Sequence, residues 1–351
     1  MKIITLIGAR PQFVKAAVVS KAFLDAGVEE LIVHSGQHYD EKMSNIFWDE
    51  LNIPKPYTNF KIGSANHGEQ TGNIMIQFEN FLNVQEGANA ILLYGDTNTT
   101  LAGALVGSKL HIPIIHIEAG LRSYNRAMPE EVNRVLTDAI SDILFCPSQI
   151  AKDNLAKEGI RNNVYNVGDV MFDAVKLFTP LAEKVTNIEH IIKHKKFILL
   201  TLHRPSNTDD IIKLESIISQ LSKIKFDIYW PVHPRNTKII NKLNLPVNLH
   251  LIEPLSYFEM LIALQKCDQV ITDSGGLQKE AYWNKKPCIT IRPETEWIET
   301  LENGWNVLVS SSNNDILNVI QDRHFGSWKP LYGNGNTAEE ICKIILQKNF
   351  K

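Results

Sequence analysis

Cysteine is scarce in this chain. Cys146, Cys267, Cys288 and Cys342 are the only four in 351 residues, far apart and without CxxC or Cys/His spacing. Neither a disulfide framework nor a zinc module is written into such a pattern. Long apolar runs are missing too, since nothing approaches the ~18 residues of a membrane-spanning helix. The first apolar run, Ile3 to Ala9, is cut by Arg10, Pro11 and Lys15, which breaks the pattern of a secretory leader and makes the cytoplasm the expected compartment. An excess of either charge is also lacking. Lysine and arginine total 36 against 39 aspartates and glutamates, a net charge of -3, so no general attraction to nucleic acid or to an anionic membrane is expected. Any polyanionic ligand must therefore meet a local cluster of cations. HExxH, GxGxxG and GxxxxGK[ST] are all absent, which predicts no metal ligands and no dinucleotide cofactor.

What the chain does have is a regular alternation of short apolar runs with longer amphipathic stretches. Strands are predicted over 3–7, 31–34, 90–94, 114–117 and 143–146, with helices over 11–26, 39–51, 68–83, 97–110 and 129–141. A second series has strands over 197–201, 227–231, 249–252, 269–272, 287–291 and 306–309. Continuous β-branched runs indicate strands buried on both faces. Regular strand–helix alternation makes parallel sheets from right-handed βαβ units. The predicted fold class is α/β, with two Rossmann-like lobes whose parallel sheets face a central cleft. Asn166 to Asp169 closes the first series, which puts the hinge near 168–172. A last helix, 336–348, carries Ala338, Ile341, Cys342 and Ile345 on one stripe that suits either lobe.

One internal echo points to the site. LLYGDTNTTLAGA (92–104) and VITDSGGLQKEA (270–281) both read strand, Asp, small and hydroxyl residues, helix. Asp96 and Asp273 thus stand at carboxyl strand ends, where open parallel sheets bind their ligands. The turn Gly8-Ala9-Arg10-Pro11 offers helix-start amides and a guanidinium fork to an anion, with Lys15 one turn on. Ser274, Gly275 and Gly276 expose amides that can wrap a diphosphate. Glu280, one turn into that helix, is placed to accept from a ribose diol. Asp96, Glu118, Glu130, Arg122 and Arg134 converge on one sheet edge, and clustered carboxylates are what proton transfer needs. His203 and His233 each follow a strand of the second lobe, where a histidine touches phosphate or donates a proton.

These segments resemble the non-hydrolysing UDP-N-acetylglucosamine 2-epimerases, whose fold is of the two-lobed glycosyltransferase B class. The resemblance is carried in order by GARPQFVK (8–15), YGDTNTTLAG (94–103), HIEAGLR (116–122), MPEEVNR (128–134), TLHRP (201–205), PVHPRN (231–236) and TDSGGLQKEA (272–281). It implies an isomerase that inverts C2 of a UDP-2-acetamido sugar with no cofactor, by eliminating UDP to a 2-acetamidoglucal and re-adding it, for surface polysaccharide precursors. Asp96, Glu118 and Glu130 are similar to the acid/base carboxylates of that family, with His203 in the catalytic set. Arg10, His203, Ser274, Gly275, Gly276 and Glu280 look like its UDP-binding set, with Lys15, Arg122 and Arg134 as supports. It further implies a homodimer and a last helix that returns to the first lobe, giving lobes of 1–168 plus 336–351 and 169–335.

Three departures stand out. Gln12 replaces a usual Glu, and Pro205 replaces an Arg tied to substrate activation in many bacterial members. RSYNRAMPEE (122–131) and RPETEWIETLENGWNVLV (292–309) look closer to a sister branch, which epimerises UDP-2,3-diacetamido-2,3-dideoxyglucuronate. Rival readings are a glycosyltransferase of the same fold, a hydrolysing 2-epimerase, and a nucleotide-sugar sensor without turnover. The sensor has no need of Asp96, Glu118, Glu130 and His203 together.

Overall fold

A computed structural model describes the chain except for residues 38–50, 52, 86, 233–235, 310–314 and 351. It divides into two compact units, Met1–Lys176 with Tyr332–Lys351, and Leu177–Leu331. Each unit is built on one parallel sheet.

The first sheet has seven strands. These are β1 (Lys2–Ile7), β2 (Glu29–His34), β3 (Thr58–Asn59), β4 (Ala90–Tyr94), β5 (Ile114–Ile117), β6 (Ile143–Cys146) and β7 (Val164–Asn166), in the order β3-β2-β1-β4-β5-β6-β7. Every pairing is parallel. Strand β4 is buried from end to end, as a Val/Ile/Leu-type run covered on both faces must be. Its cover on one side includes Ile74 and Phe78, at helical spacing on the helix His67–Val84. The last helix, Thr337–Leu346, packs on the helix Arg10–Asp25, with Cys342 Sγ 3.7 Å from the Ala22 carbonyl oxygen. Asp173 accepts from the Ala338 amide at 2.7 Å and so anchors its start.

The second sheet has six strands: β8 (Phe197–Thr201), β9 (Asp227–Pro231), β10 (Leu249–Ile252), β11 (Gln269–Thr272), β12 (Cys288–Ile291) and β13 (Asn306–Val309). Their order is β10-β9-β8-β11-β12-β13, again all parallel. Ile198 and Leu200 of β8, with Leu202 just after it, alternate in sequence and share a core with Leu214, Ile217, Ile218 and Leu221 of the helix Ile211–Leu221. Periods of two and 3.6 residues thus supply the two halves of one core. Asp210 starts that helix by accepting from the Ile212 amide at 3.0 Å, a cap worth about 1 kcal/mol.

The predicted α/β class of two parallel-sheet, Rossmann-like units is the one observed. Two short edge strands, β3 and β7, lie beyond what the apolar runs predicted. The helix expected over 39–51 falls almost wholly outside the described residues. Among the described residues no helix is long and apolar enough to cross a membrane. In each sheet the order reverses once, between β1 and β4 and between β8 and β11. Such switch points are where open α/β sheets hold ligands.

Candidate active site

At the first switch point, β1 ends in the turn Gly8–Ala9. A Cβ on Gly8 would lie 2.2 Å from Ser35 Oγ and 2.3 Å from Thr99 Oγ1, so the chain passes there only without a side chain. Pro11 stands in the first turn of the helix Arg10–Asp25, where its missing N–H costs nothing. Arg10 is exposed at this helix start. Gln12 is 2% exposed and splints two loops together. Its Oε1 accepts from the Gly8 and Ala9 amides at 2.7 and 3.0 Å, and its Nε2 donates to the Tyr94 carbonyl at 2.7 Å and to Thr100 Oγ1 at 3.1 Å.

Lys15, one turn on, is buried and ion-paired with Glu118. Glu118 follows β5 with φ +74°, a left-handed backbone that costs a non-glycine residue roughly 1–3 kcal/mol. Asp96 follows β4, and its Oδ2 accepts from Arg134 Nη2 at 2.5 Å. Burial raises the Asp96 pKa above the ordinary carboxylate value, Arg134 draws it back down, and Glu118 pushes it up again. The Asp96 side chain keeps 31% of its surface exposed, so it remains reachable. Arg134 also donates to Glu131 at 3.0 Å. Glu131 is clamped by the Ser123 and Tyr124 amides, both at 2.9 Å.

Behind these lies a buried network. His116 bridges Asp138 and Gly95, its Nδ1 2.8 Å from Asp138 Oδ1 and its Nε2 2.8 Å from the Gly95 carbonyl oxygen. Asp138 also accepts from the Gly120 amide at 3.0 Å and Arg122 Nη1 at 2.7 Å. Burial alone would raise the Asp138 pKa, but the hydrogen bond and charge of His116, with Arg122, hold it below the ordinary value. Arg122 forks onto Glu158 at 2.7 and 2.6 Å. The network therefore fixes the turns that carry Gly95 and Glu118 rather than presenting a cation.

At the second switch point, Asp273 follows β11 with no exposure. It accepts from the His203 amide at 3.1 Å, the Arg204 amide at 2.9 Å and Asn207 Nδ2 at 3.1 Å. His203 Nδ1 lies 2.9 Å from Asp273 Oδ1, and the histidine side chain is 48% exposed. The carboxylate thus orients a reachable imidazole. Burial works to raise the Asp273 pKa, and these donors, His203 foremost, bring it below the ordinary value. Ser274 caps the helix Gly275–Trp283, leaving amides of the first turn without helical partners. A Cβ on Gly275 would lie 2.8 Å from Glu296 Oε1, whereas one on Gly276 would meet nothing within 4 Å. The chain's own packing does not demand a glycine at 276. Glu280 is 8% exposed, one turn into the helix.

The chain matches the family described as UDP-N-acetylglucosamine 2-epimerase over residues 22–346. The chain belongs to the UDP-N-acetylglucosamine 2-epimerase family. It is 46% identical to the UDP-2,3-diacetamido-2,3-dideoxy-D-glucuronate 2-epimerase of Pseudomonas aeruginosa, covering 99% of this chain and 100% of that one. It is 48% identical to a UDP-N-acetylglucosamine 2-epimerase homolog of Methanococcus maripaludis, covering 98% and 99%. Its fold is similar to that of the Methanocaldococcus jannaschii UDP-GlcNAc 2-epimerase crystallised with UDP-GlcNAc and UDP, with a TM-score of 0.90, 40% identity, and coverage of 99% and 100%.

In this UDP-sugar 2-epimerase family member, the structure draws Lys15, Asp96, Glu118 and Arg134 together, and sets His203 beside the Ser274–Gly276 turn. Glu130 is exposed in the first turn of the helix Pro129–Ile140, and Arg122 is sequestered in the buried network. His233 lies outside the described residues. Sequence reasoning marked Gln12 only as a departure, and did not single out Glu131, Asp138, Glu158 or Asn207. A signal for two of them exists: Glu131, Arg134 and Asp138 stand at i, i+3 and i+7, so the buried stripe of that helix is charged while Val132 and Leu136 stay exposed.

Proposed function

We propose that this chain inverts C2 of a UDP-2-acetamido sugar, UDP-N-acetylglucosamine first, acting in the cytoplasm without hydrolysis. The observation that carries this reading is the pairing of two carboxylates with two cations at one switch point, Glu118 with Lys15 and Asp96 with Arg134. Proton removal and return at one carbon calls for such a set. A carboxylate takes the C2 proton, the C–H electrons form a C1=C2 double bond, and the C1–O bond breaks with its pair leaving on UDP. The 2-acetamidoglucal then regains UDP at C1 and a proton at the opposite face of C2. Asp96, Glu118 and Glu130 serve these proton transfers.

Arg10, His203 and the amides of Ser274–Gly276 hold the leaving diphosphate, Glu280 takes the ribose, and His233 assists. Fixed donors aimed at the departing charge are worth more than water would be. Lys15 and Arg134 set the carboxylates, and Arg122 holds their turns in place. No redox cofactor enters, because C2 is never oxidised. A homodimer is proposed with it, covering the exposed Val132 and Leu136.

A second substrate, UDP-2,3-diacetamido-2,3-dideoxyglucuronate, is favoured by the full-length likeness to the Pseudomonas aeruginosa enzyme named for it. The C2 chemistry is the same. Incubation of the chain with each sugar in D2O decides both questions. The expected outcome is deuterium at C2, UDP attached in both epimers, and no added cofactor. Epimerisation that keeps the original hydrogen overturns the mechanism, free sugar with UDP marks a hydrolase, and unexchanged substrate marks a transferase or sensor.

A further inference from the structure

The sheet of the second unit carries a second polar cluster at its amino-terminal edge, opposite to His203 and Ser274. Asp227 opens β9 and pairs with Phe197, and His250 pairs with Tyr229. Strand periodicity puts Asp227 and Tyr229 on one face, with His250 beside them. His194, from the segment between the helix Val170–Val185 and β8, closes over this face. His250 Nε2 is 2.7 Å from Asp227 Oδ1, and His194 Nδ1 is 3.7 Å from the same oxygen and 2.7 Å from the Tyr229 hydroxyl. One donor atom from each of His194, Asp227 and His250 falls within 4.8 Å of the others. The rings pack against one another, Tyr229 stacked on His250 at 4.9 Å and His194 tilted against His250 at 5.3 Å between centroids.

We propose that His194, Asp227 and His250 form a binding site for one divalent transition ion of the zinc type. Two imidazoles and a carboxylate are the donor set of such ions, whereas calcium and magnesium take oxygen alone. Tetrahedral donors about 2.0–2.1 Å from an ion stand roughly 3.3 Å from one another, and the observed 2.7 and 3.7 Å bracket that spacing. Small side-chain rotations complete the site. The side chains are 46%, 33% and 33% exposed, which leaves water a fourth position. Ligation through His194 Nδ1 replaces the hydrogen bond that this nitrogen shares with the Tyr229 hydroxyl.

No spacing rule finds this set, because its members sit on three separate elements far apart in sequence. The expectation of no metal ligands rested on spacing alone, and the fold supplies the juxtaposition. The site is structural. From the level of Asp227 to His203 is about 20 Å along the strands, so the ion takes no part in the proton transfers. It clamps the segment before β8 to strands β9 and β10.

The test uses full-length protein freed of metal by chelation and titrated with Zn2+ against a chromophoric chelator, with Co2+ as a spectroscopic probe. One ion per chain is expected, with visible ligand-field bands for Co2+ and a rise in Tm that chelation reverses. His194→Ala, Asp227→Asn and His250→Ala should each weaken binding at least ~10-fold, while His190→Ala should not. Circular dichroism establishes that each variant is folded, and the near-isosteric Asp227→Asn carries the test if a histidine variant is not. Absence of stoichiometric binding, or binding unchanged in folded variants of the three, overturns the site and marks the ion as adventitious.

Discussion

Lys15 and Glu118 meet over a residue that has no side chain. A Cβ on Gly95 would lie 3.1 Å from Glu118 Oε2 and 3.7 Å from Lys15 Nζ, and Gly95 itself holds φ +64°. Gly95→Ala therefore strains the backbone by about 1–2 kcal/mol and crowds the ion pair. Turnover should fall at least ~10-fold while UDP binding holds, since neither Lys15 nor Glu118 is among the proposed diphosphate donors. Steady-state kinetics with calorimetric titration of UDP separates the two effects, and unchanged kcat would remove the pair from the mechanism.

Arg134 opposes the burial that raises the Asp96 pKa. Arg134→Gln takes away a cation and keeps a hydrogen-bonding amide, so the Asp96 pKa should climb further. Asp96 then keeps its proton to higher pH. The limb of log(kcat/KM) against pH that belongs to Asp96 should move upward, whether the group gives or takes the proton. Asp96→Asn should abolish that limb and lower kcat by ~100-fold or more. A limb that stays in place in Arg134→Gln would show that another group governs it.

Gly276 faces open space within its own chain. Gly276→Ala should therefore fold normally, with Tm unchanged or slightly higher, because alanine restricts the unfolded chain. If a diphosphate lies over this turn, the added methyl meets the ligand instead. UDP affinity should drop at least ~10-fold, about 1.4 kcal/mol. Equal affinity in a folded variant would move the diphosphate away from the turn.

Asp273 sits below its ordinary pKa of 3.8 because buried donors converge on the carboxylate. A lowered carboxylate stabilises the fold above its unfolded value and loses that contribution as pH falls through the folded one. The Tm gap between the parent chain and Asp273→Asn should thus be full at neutral pH and close on acidification below about 3.8. Losing one charge-assisted bond costs about 1.5–3 kcal/mol, and KM should rise as His203 loses its orientation. Melting curves across pH, paired with kinetics, measure both.

The parallel sheets were legible because strands buried on both faces are written as short, largely apolar runs without polar alternation. Ala90–Tyr94, Ile143–Cys146 and Gln269–Thr272 have the same limits in sequence and structure. Thr58–Asn59 escaped because an edge strand of two residues needs no apolar run. Asp96, Glu118 and His203 were legible because carboxyl strand ends are predictable places. Their partners were less so. Asp138 acts on Arg122 from within a helix and Glu158 from just past the end of another, Gln149–Lys157, and only the packed fold brings them within reach. Asp273 was seen as a strand-end marker, but its work of aiming His203 depends on burial that no motif records.

A neutral amide at position 12 has no proton to gain or lose. The splint that Gln12 makes from Gly8 to the Tyr94 carbonyl consequently keeps one geometry throughout the range in which Asp96 titrates. A carboxylate in its place would need its own proton to hold that carbonyl, and the two loops would part as it ionised. Acidity is thus read by the reacting groups alone, while the splint that aligns the loops is blind to it.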